Sequence, residues 1–333
     1  MAGSASLRLP AVVGSSALAS AADFATDRAA AAAASAVPAA PGALALPSNA
    51  VPRATNGAWR PAALFSHALV ALSLLVLAFV AACALVPGWL APQLPTDMRS
   101  DAILQAPGLA HWFGTDQFGR DVYSLVVFGA RQSLLIGVAA VLIGSTLGVS
   151  LGLLAGYAGG WLDALLMRAT DIWMAVPSLL LAIALATALG PSLTNTIVAI
   201  SIASIPRYAR ILRGQAMAVR SRAFVEAARA AGASHLAILR GHILPHCMAP
   251  ILVMATLGIG SAILAGSSLS FLGMGVNDEL PDWGYLLTQG RGYLTVAWWT
   301  VTFPGLAITA LVLSVNLLGD ALRRRLDPRA AAR

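Results

Sequence analysis

Residues 223–245 read AFVEAARAAGASHLAILRGHILP, and this stretch lies between the fourth and fifth of six hydrophobic segments. Residues 223–239 are rich in residues that favour helices. Glu226, Arg229 and Ala230 stand at the i, i+3 and i+4 spacing that places side chains on one helical face. The pattern predicts a short helix outside the hydrophobic segments.

Small residues reduce the bulk of this predicted helix. Ala227 and Ala228, and later Gly232, leave part of its surface flat, which suits a helix that presses into a groove of another protein. Gly232 permits a turn or a close approach of another backbone. Pro245 is expected to interrupt the structure before the fifth hydrophobic segment begins.

The composition indicates a membrane protein. The chain has 333 residues, of which 58% are hydrophobic and 11% charged, and its mean hydropathy is +0.78. A soluble domain carries about 25% charged residues. A chain so poor in charge lacks the polar groups to cover a globular surface, so its solvent is expected to be lipid.

The net charge of +7 comes from arginine, because the sequence contains no lysine. A Walker A phosphate loop needs a lysine to reach the β- and γ-phosphates, and a Schiff-base enzyme needs a lysine amine. Both classes are excluded for this chain, and no catalytic residue is assigned. The arginines flank apolar segments and form no basic face, which argues against binding to nucleic acid. Cys83 and Cys247 form no CxxC pair and are expected to be small buried apolar residues.

Each of the six hydrophobic segments approaches the ~20 residues needed to cross a bilayer. The segments cover residues 62–86, 133–157, 172–189, 193–212, 250–276 and 296–319. We expect all six to be helices, since an isolated strand leaves backbone groups unsatisfied in lipid. The fourth contains Pro206, Arg207 and Arg210, which a buried kink with the arginines at the membrane interface would accommodate.

The placement of the arginines predicts the orientation. With the N-terminus in the cytoplasm, 17 of the 21 arginines lie on the inner side, and only Arg99, Arg120, Arg131 and Arg291 lie outside. Both termini are therefore predicted to be cytoplasmic. Residues 1–61 offer no periodic apolar face and are predicted to be a disordered Ala/Pro-rich tail.

The second hydrophobic segment carries a glycine at every fourth position. These glycines are Gly144, Gly148, Gly152 and Gly156. The spacing places all four on one helical face and lets a neighbouring backbone approach closely. Packing within the chain is favoured, and a dimer interface is the alternative.

The hydrophobic segments contain no central ionisable residue of the kind that marks a coupling-ion site. Arg131, Asp171 and Asp320 lie at segment ends. Ion-coupled secondary transporters usually keep charged sites or broken helices near the midplane of the membrane. Their absence predicts that the energy for transport comes from another source.

The stretch 223–245 resembles the coupling loop of permeases of binding-protein-dependent ABC importers. The signature of that family is Glu-Ala-Ala, three residues, Gly, nine residues and Ile-x-Leu-Pro. The matching residues are Glu226, Ala227, Ala228, Gly232, Leu244 and Pro245. His242 holds the Ile position and Ile243 follows it, and the variant His-Ile-Leu-Pro is typical of the peptide/nickel branch.

Further motifs resemble those of the C-type subunits of this branch and follow in the same order. They lie at residues 111–116, 119–122, 156–163, 269–273, 281–284, 316–320 and 326–328. The extracytoplasmic motif contains Gly114, Thr115, Asp116, Gly119, Arg120 and Asp121. The chain departs from the family at Gly241, His246 and Gly266, the last of which stands where members often carry an acid.

The resemblance implies an all-α membrane protein with six transmembrane helices and the architecture of a type I ABC importer permease. The implied division begins with the tail at 1–61 and a first transmembrane helix with an extracytoplasmic loop at 62–132. A core permease domain of the MetI-like type at 133–322 and a basic cytoplasmic C-terminus at 323–333 follow. The coupling loop is expected at 208–246.

The resemblance also implies partners: a B-type permease subunit, two ABC ATPase subunits and an extracytoplasmic solute-binding protein that meets the outer residues 111–123 and 277–298. ATP and magnesium would be bound by the ATPase subunits, and this chain would bind neither a cofactor nor a metal. The expected location is the bacterial cytoplasmic (inner) membrane, with lipid around the helices.

Di- or oligopeptides are the favoured solute, and nickel, glutathione or another small solute is the alternative. An ion-coupled secondary transporter and a structural or signalling subunit are alternatives of a different class.

Two other sets of residues have a chemical and a structural interpretation. His235, His242 and His246 include an HxxxH spacing that could bind a metal, but no acidic ligand is close in sequence, so structural or interfacial histidines are favoured. Asp116 and Asp121 could form a catalytic pair. Their glycine- and aromatic-rich setting instead predicts a turn-rich folded loop.

Overall fold

The computed structural model describes residues 60–275 and 281–326, with side chains from residue 67 onward. Within these ranges the regular elements are helical, and one isolated β-bridge joins Thr115 to Asp121. Residues 1–59 of the predicted tail, 276–280 of the second outer segment and 327–333 of the basic C-terminus lie outside the described residues. The predicted all-α fold is confirmed for the part of the chain that is described.

The described residues form eleven α-helices. They are α1 Arg60–Leu85, α2 Pro87–Leu90, α3 Val122–Ala158, α4 Gly160–Met174, α5 Ser178–Leu189, α6 Leu193–Arg220, α7 Ala223–Ala230, α8 His235–Ile238, α9 Leu244–Phe271, α10 Trp283–Gly290 and α11 Trp299–Leu326. Short 3₁₀ or π-helical turns cover Ser100–Ala102, Leu239–Ile243 and Arg291–Tyr293. Following the predicted orientation, we call residues 91–121 the outer loop and residues 221–243 the cytoplasmic loop.

Four described stretches are long and apolar enough to cross a membrane. They are His67–Leu85, Val122–Ala158, His235–Phe271 and Trp299–Leu326. The first, second, fifth and sixth predicted segments therefore lie on helices of membrane length, with ends shifted from their predicted positions. The pair α4 and α5 gives a fifth span if its two bent helices are counted together.

The prediction of one helix at 172–189 is wrong. α4 ends at Met174, α5 begins at Ser178, and the two helices are bent by 84°. Pro177 explains the break, because a proline disfavours the helical conformation of the residue before it. Pro177 itself has φ −52° and ψ 128°, outside the helical region. The third segment is a broken helix, whereas the sequence predicted no broken helix in any span.

The fourth predicted segment is a helix, but a polar one. α6 continues past residue 212 to Arg220, and it is not among the apolar spans because its inner half also carries Arg207, Arg210 and Arg213. Pro206 lies inside the helix without ending it. α6 packs against α3, α5 and α9 in the bundle. The sixth membrane crossing stays a prediction that depends on this helix.

Residues 122–132, predicted to belong to the outer loop, form the beginning of α3 instead. The Asp121 carboxylate caps this helix by accepting hydrogen bonds from the backbone N–H and the hydroxyl of Ser124, at 2.9 and 2.8 Å. Val122 and Leu125 are buried in this added part. The second membrane helix therefore starts eleven residues before its apolar segment, at Val122 instead of residue 133.

The predicted interruption at Pro245 is also wrong. The chain runs as a helix from His235 through the π-helical turn Leu239–Ile243 into α9. Pro245 stands in the first turn of α9, where the missing N–H costs little. The break falls earlier, at residues 231–234 between α7 and α8.

Four apolar clusters hold the described part of the bundle together; the smallest consists of Val122, Ala297 and Trp299, and each of the other three joins several helices. The first, around Trp283, joins α1, α3, α9, α10 and α11. The second, around Ile200, joins α3, α5, α6 and α9. The third, around Val225, joins α3 and α6 to the cytoplasmic loop and the start of α9. Cys83 and Cys247 are free and buried in the first and third clusters, which confirms their prediction as apolar core residues.

Candidate functional site

The first turn of α7 anchors the cytoplasmic loop to the bundle. Val225 is fully buried and Phe224 and Ala228 are half-buried, so these three side chains form the inner face of α7. They pack in the third cluster, whose bundle members include Leu153 and Leu212. Apolar burial of this kind contributes about 25 cal/mol per Å². The loop is therefore fixed to α3 and α6 through its own hydrophobic face.

The opposite face of α7 is exposed and nearly flat. Glu226, Ala227, Arg229 and Ala230 all face outward, and within the described residues neither Glu226 nor Arg229 has an ion-pair partner. Two alanines beside two charged side chains leave a surface with little bulk and with both signs of charge. Such a surface can contact a partner closely and in a specific register.

Gly232 ends α7 in a Schellman motif. Its φ is +82°, its N–H donates to Arg229 O at 3.0 Å, and the N–H of Ala233 donates to Ala228 O at 3.1 Å. A Cβ at this position would meet nothing within 4 Å. The glycine is therefore required for a left-handed turn and not for close packing within the chain.

The signature residues after the turn lie beside α7. The ring of Phe224 stacks on the ring of His246, with centroids 4.7 Å apart, and also faces His242 at 6.4 Å. His246 Nδ1 lies 2.6 Å from His242 O. Leu244 is half-buried in the third cluster, whereas Pro245 is exposed.

The three histidines of the loop are not brought together as ligands. His235 Nδ1 lies 2.7 Å from the hydroxyl of Tyr157 on α3, away from the other two. Within residues 67–275 and 281–326, no group of three His, Cys, Asp or Glu side chains could hold a metal ion. The interactions of His235 and His246 are those of structural histidines.

Two ion pairs that were not predicted join α4 to α6. Arg213 donates to both carboxylate oxygens of Asp163, at 2.5 and 2.7 Å, and Arg210 pairs with Asp171. No spacing rule in the sequence indicates these pairs, because the partners lie on different helices, 39 and 50 residues apart. These pairs hold the bent third segment against the helix that leads into the cytoplasmic loop.

Hydrogen bonds fold the extracytoplasmic motif into a compact turn. The Asp116 carboxylate accepts from the backbone N–H groups of Phe118 and Arg120, both at 2.9 Å, and from Arg120 Nε at 2.7 Å. Arg120 also donates to Gln289 Oε1 of α10 at 2.8 Å and stacks over Phe118. Arg120 and Asp116 are both buried, so the pair links the outer loop to α10 in a low-dielectric setting.

The second half of this motif ties the outer loop to α3 and α11. His111 Nδ1 lies 3.1 Å from Asp121 Oδ1, while Asp121 Oδ2 caps α3. Trp299 Nε1 donates to Thr115 O at 3.0 Å, and Gly114, with φ +72°, leaves room for the indole. Both aspartates of the suggested catalytic pair are thus occupied by structural hydrogen bonds. Their arrangement is that of a folded turn.

Asp282 and Trp283 hold the second outer segment to the bundle. Asp282 Oδ1 accepts from Tyr285 N–H at 2.8 Å and caps α10, while Ser270 donates to Asp282 Oδ2 at 2.5 Å. Burial raises the pKa of the Asp282 carboxyl, and the bonds from Ser270 and Tyr285 lower it. Trp283 Nε1 donates to Val126 O of α3 at 2.8 Å. The outer segments therefore form one connected surface with α3.

The four glycines of α3 face α6 within the same chain. A Cβ at Gly152 would lie 2.8 Å from the Cβ of Leu212, and a Cβ at Gly156 would lie 2.7 Å from the backbone oxygen of Arg213. Gly144 and Gly148 meet α6 in the same way, at Ser201 and Ile205. Real Cβ atoms are not found at such distances, so glycine is what allows the two backbones to touch.

These features define a class. The chain is a helical membrane protein with four or five apolar spans in its described part, an exposed short helix held rigidly at one end of the bundle and an ordered loop at the other. The family is shown by comparison with known proteins: the chain belongs to the binding-protein-dependent transport system inner membrane components, whose family model matches residues 148–332. It is therefore a multi-pass membrane permease.

Named relatives match most of the chain. The dipeptide transport system permease protein DppC of Alkalihalophilus pseudofirmus is 47% identical over 226 residues, which cover 68% of this chain and 74% of that protein. The di/tripeptide transport system permease protein DppC of Pseudomonas aeruginosa is 45% identical over 272 residues, covering 80% and 90%. The glutathione transport system permease protein GsiD of Pectobacterium atrosepticum is 40% identical over 267 residues, covering 79% and 87%.

A solved structure supports the fold. The inward-facing MetNI methionine ABC transporter contains a chain that superposes with a TM-score of 0.52 at 19% identity, covering 61% of this chain and 96% of that one. The fold predicted from the sequence, that of a type I ABC importer permease, is confirmed.

Proposed function

We propose that this chain is the permease subunit of an ATP-driven importer of di- or oligopeptides in the bacterial cytoplasmic membrane. Its partners in this proposal are a B-type permease subunit, two ABC ATPase subunits that bind ATP and magnesium, and an extracytoplasmic solute-binding protein. The chain itself binds no cofactor and performs no hydrolysis. The names of its relatives, which include dipeptide and di/tripeptide permeases, support peptides as the solute class.

The observation that carries this proposal is the position of α7. Its exposed face, formed by Glu226, Ala227, Arg229 and Ala230, lies opposite the fully buried Val225. Only Ser221 and Arg222 separate α7 from the long helix α6. A partner that displaces α7 therefore moves α6 as well, because neither a flexible linker nor a loose apolar contact absorbs the displacement.

Transport follows from a difference in binding free energy. The two states of the ATPase pair bind the exposed face of α7 differently, and that difference is the coupling free energy available to the bundle. α6 is fixed to α3 through the glycine contacts and to α4 through the Asp163–Arg213 pair. The helices therefore shift together as rigid bodies and alternate the access of the solute path.

The test uses the complete complex, reconstituted in liposomes with its binding protein. Glu226→Lys reverses a charge on the exposed face, and Gly232→Trp adds bulk and strain at the turn. We expect both to abolish peptide uptake while the subunit still inserts and the ATPase sites still hydrolyse ATP. Gly88→Trp, at an exposed outer glycine whose Cβ would meet nothing within 4 Å, is the matched control for bulk and should transport normally.

Uptake at the normal rate in either loop variant would contradict the coupling role of α7. The ion-coupled alternative predicts a different result, namely uptake that needs an ion gradient and continues without the ATPase subunits. A structural or signalling subunit would give no solute flux in any of these preparations.

A further inference from the structure

A cavity of about 310 Å³ opens at the bend between α4 and α5. Its walls come from α3, α6 and α9 as well as from the bend itself, and they are mainly apolar. The polar side chains in the wall are Ser178, Ser204, Ser261, Arg207 and Tyr208. Small-molecule sites usually have volumes of about 300–1,000 Å³ and combine apolar walls with a few polar groups.

In the predicted topology the cavity lies within the depth of the membrane. Arg207 follows Leu193, the first residue of α6, by fourteen positions, which corresponds to about 21 Å along the helix at 1.5 Å per residue. The hydrocarbon core is about 30 Å thick. α5 runs back from the same connection, so its first residue, Ser178, lies at a similar depth.

The bend is not buried within the described part of the chain, since Ala175, Val176 and Pro177 are all exposed. Ala175 N–H still donates to Asp171 O at 3.1 Å, but Val176 N–H reaches only Trp173 O at 3.4 Å and Pro177 has no N–H. Val176 and Pro177 both line the cavity. Non-helical backbone at membrane depth is tolerated only where it is buried in protein or lines a wet cavity. The break between α4 and α5 therefore forms part of the cavity wall.

Arg207 differs from the arginines that follow it on α6. Arg210 pairs with Asp171 and Arg213 with Asp163, whereas Arg207 has no carboxylate within ion-pair distance among the described residues. An unpaired cation at membrane depth is costly, and such residues mark the paths of substrates or ions. Arg207 is also exposed, so its guanidinium is open to a group from outside the described part of this chain.

We propose that this cavity is a subsite of the translocation path, in which Arg207 binds the terminal carboxylate of a peptide in transit. The inference rests on the proposed function and names the group of the solute that the permease itself contacts. The fork of the guanidinium matches a carboxylate with two parallel hydrogen bonds. The apolar wall then accepts a side chain of any small peptide, so the site selects for the free carboxyl end and not for sequence.

Thiol labelling in the complete reconstituted complex tests the site directly. Ser261→Cys places a thiol in the cavity wall, and the native Cys83 and Cys247 are buried and give little background. With Arg207 present, we expect an anionic thiol reagent to react faster than a cationic reagent of the same size. A saturating peptide with a free carboxylate, delivered by the binding protein, should protect the thiol at least about threefold.

Substitutions of Arg207 provide the second measurement. Arg207→Gln should lower peptide uptake about tenfold or more, since hydrogen bonds to charged groups are among the strongest that proteins form. It should also abolish both the charge preference and the protection at position 261. Arg207→Lys keeps the charge but not the fork and should retain the charge preference with weaker protection.

Each contrary result has a defined meaning. Normal uptake with Arg207→Gln, or ATP-driven uptake without protection of the thiol in the Arg207 protein, overturns the subsite and leaves the proposed function intact. Absence of ATP-driven peptide uptake in the unsubstituted complex overturns the proposed function instead. If labelling follows the fraction of anionic lipid and not the peptide, the counterion is a headgroup phosphate and the proposal fails. Should Arg207→Gln fail to assemble, the labelling in the Arg207 protein still decides.

Discussion

Substitution of Gly232 by alanine tests whether the cytoplasmic loop requires a left-handed backbone conformation at this position. Gly232 has φ +82°, and an added Cβ meets nothing within 4 Å, so a methyl group there costs strain and no clash. An L-residue in the left-handed region costs about 1–2 kcal/mol. That cost acts on the Schellman turn and should lower the population of the closed turn roughly 5–30-fold.

Hydrogen exchange of the loop in the reconstituted complex measures this population. The N–H groups of Gly232 and Ala233 donate into the turn, so exchange of a peptide that covers residues 228–234 should accelerate roughly 5–30-fold in Gly232→Ala. Gly232→Asn is the matched control, because asparagine adds a larger side chain but tolerates the left-handed conformation. Peptide uptake per ATP hydrolysed should fall in the alanine variant and stay close to normal in the asparagine variant. Equal exchange in the alanine, asparagine and unsubstituted proteins would refute the conformational role of Gly232.

Two further predictions concern the bundle and the outer loop. Gly152→Ala should lower the melting temperature of the purified subunit, because its Cβ would lie 2.8 Å from the Cβ of Leu212 and force α3 away from α6. Gly214→Ala, in open space on α6, should be neutral or slightly stabilising, and an equal loss in both variants would show that the contact is unimportant. Arg120→Gln leaves a buried carboxylate without its cation and removes the bond to Gln289, so stability should fall by about 3–5 kcal/mol, with weakened capture of the binding protein in a pull-down assay. An unchanged melting curve for that variant would mean that the outer turn does not depend on the pair.

Hydropathy predicts the apolar helices well because lipid permits so few alternatives for the backbone. The residues of α1, α9 and α11 could be located to within several positions for this reason. Helix ends were less predictable, since they depend on polar capping and not on apolarity. Asp121 starts α3 in a stretch that reads as loop by composition alone.

The break in the third segment could not be predicted from hydropathy. The residues on both sides of Pro177 are apolar, so an average over the segment describes a continuous span. The bend follows from one local conformational restriction, and the two ion pairs of α4 join a helix more than thirty residues away in sequence. Arg207 was interpreted as an interfacial charge for a similar reason, because only the packing of five helices shows that it lines a cavity.

The structure of the cytoplasmic loop is only partly predictable from the sequence. Its short helix at Glu226 and its turn at Gly232 follow from local residue preferences, so the sequence predicts them directly. The burial of Val225 against α3 and α6 requires the tertiary structure. The short helix and its turn could thus be located from the sequence, whereas their packing against the bundle could not.

Because no side chain separates α3 from α6 along the glycines, the two helices cannot rotate about each other without a collision of their backbones. α3 has 37 residues and is about 55 Å long, and it begins at the cap that Asp121 forms in the outer loop. In the proposed importer the two helices move as one rigid unit. The ATPase subunits displace it at the cytoplasmic end, and the binding protein contacts it at the outer end. ATP binding inside the cell and the release of solute by the receptor outside would then be synchronised within this single subunit.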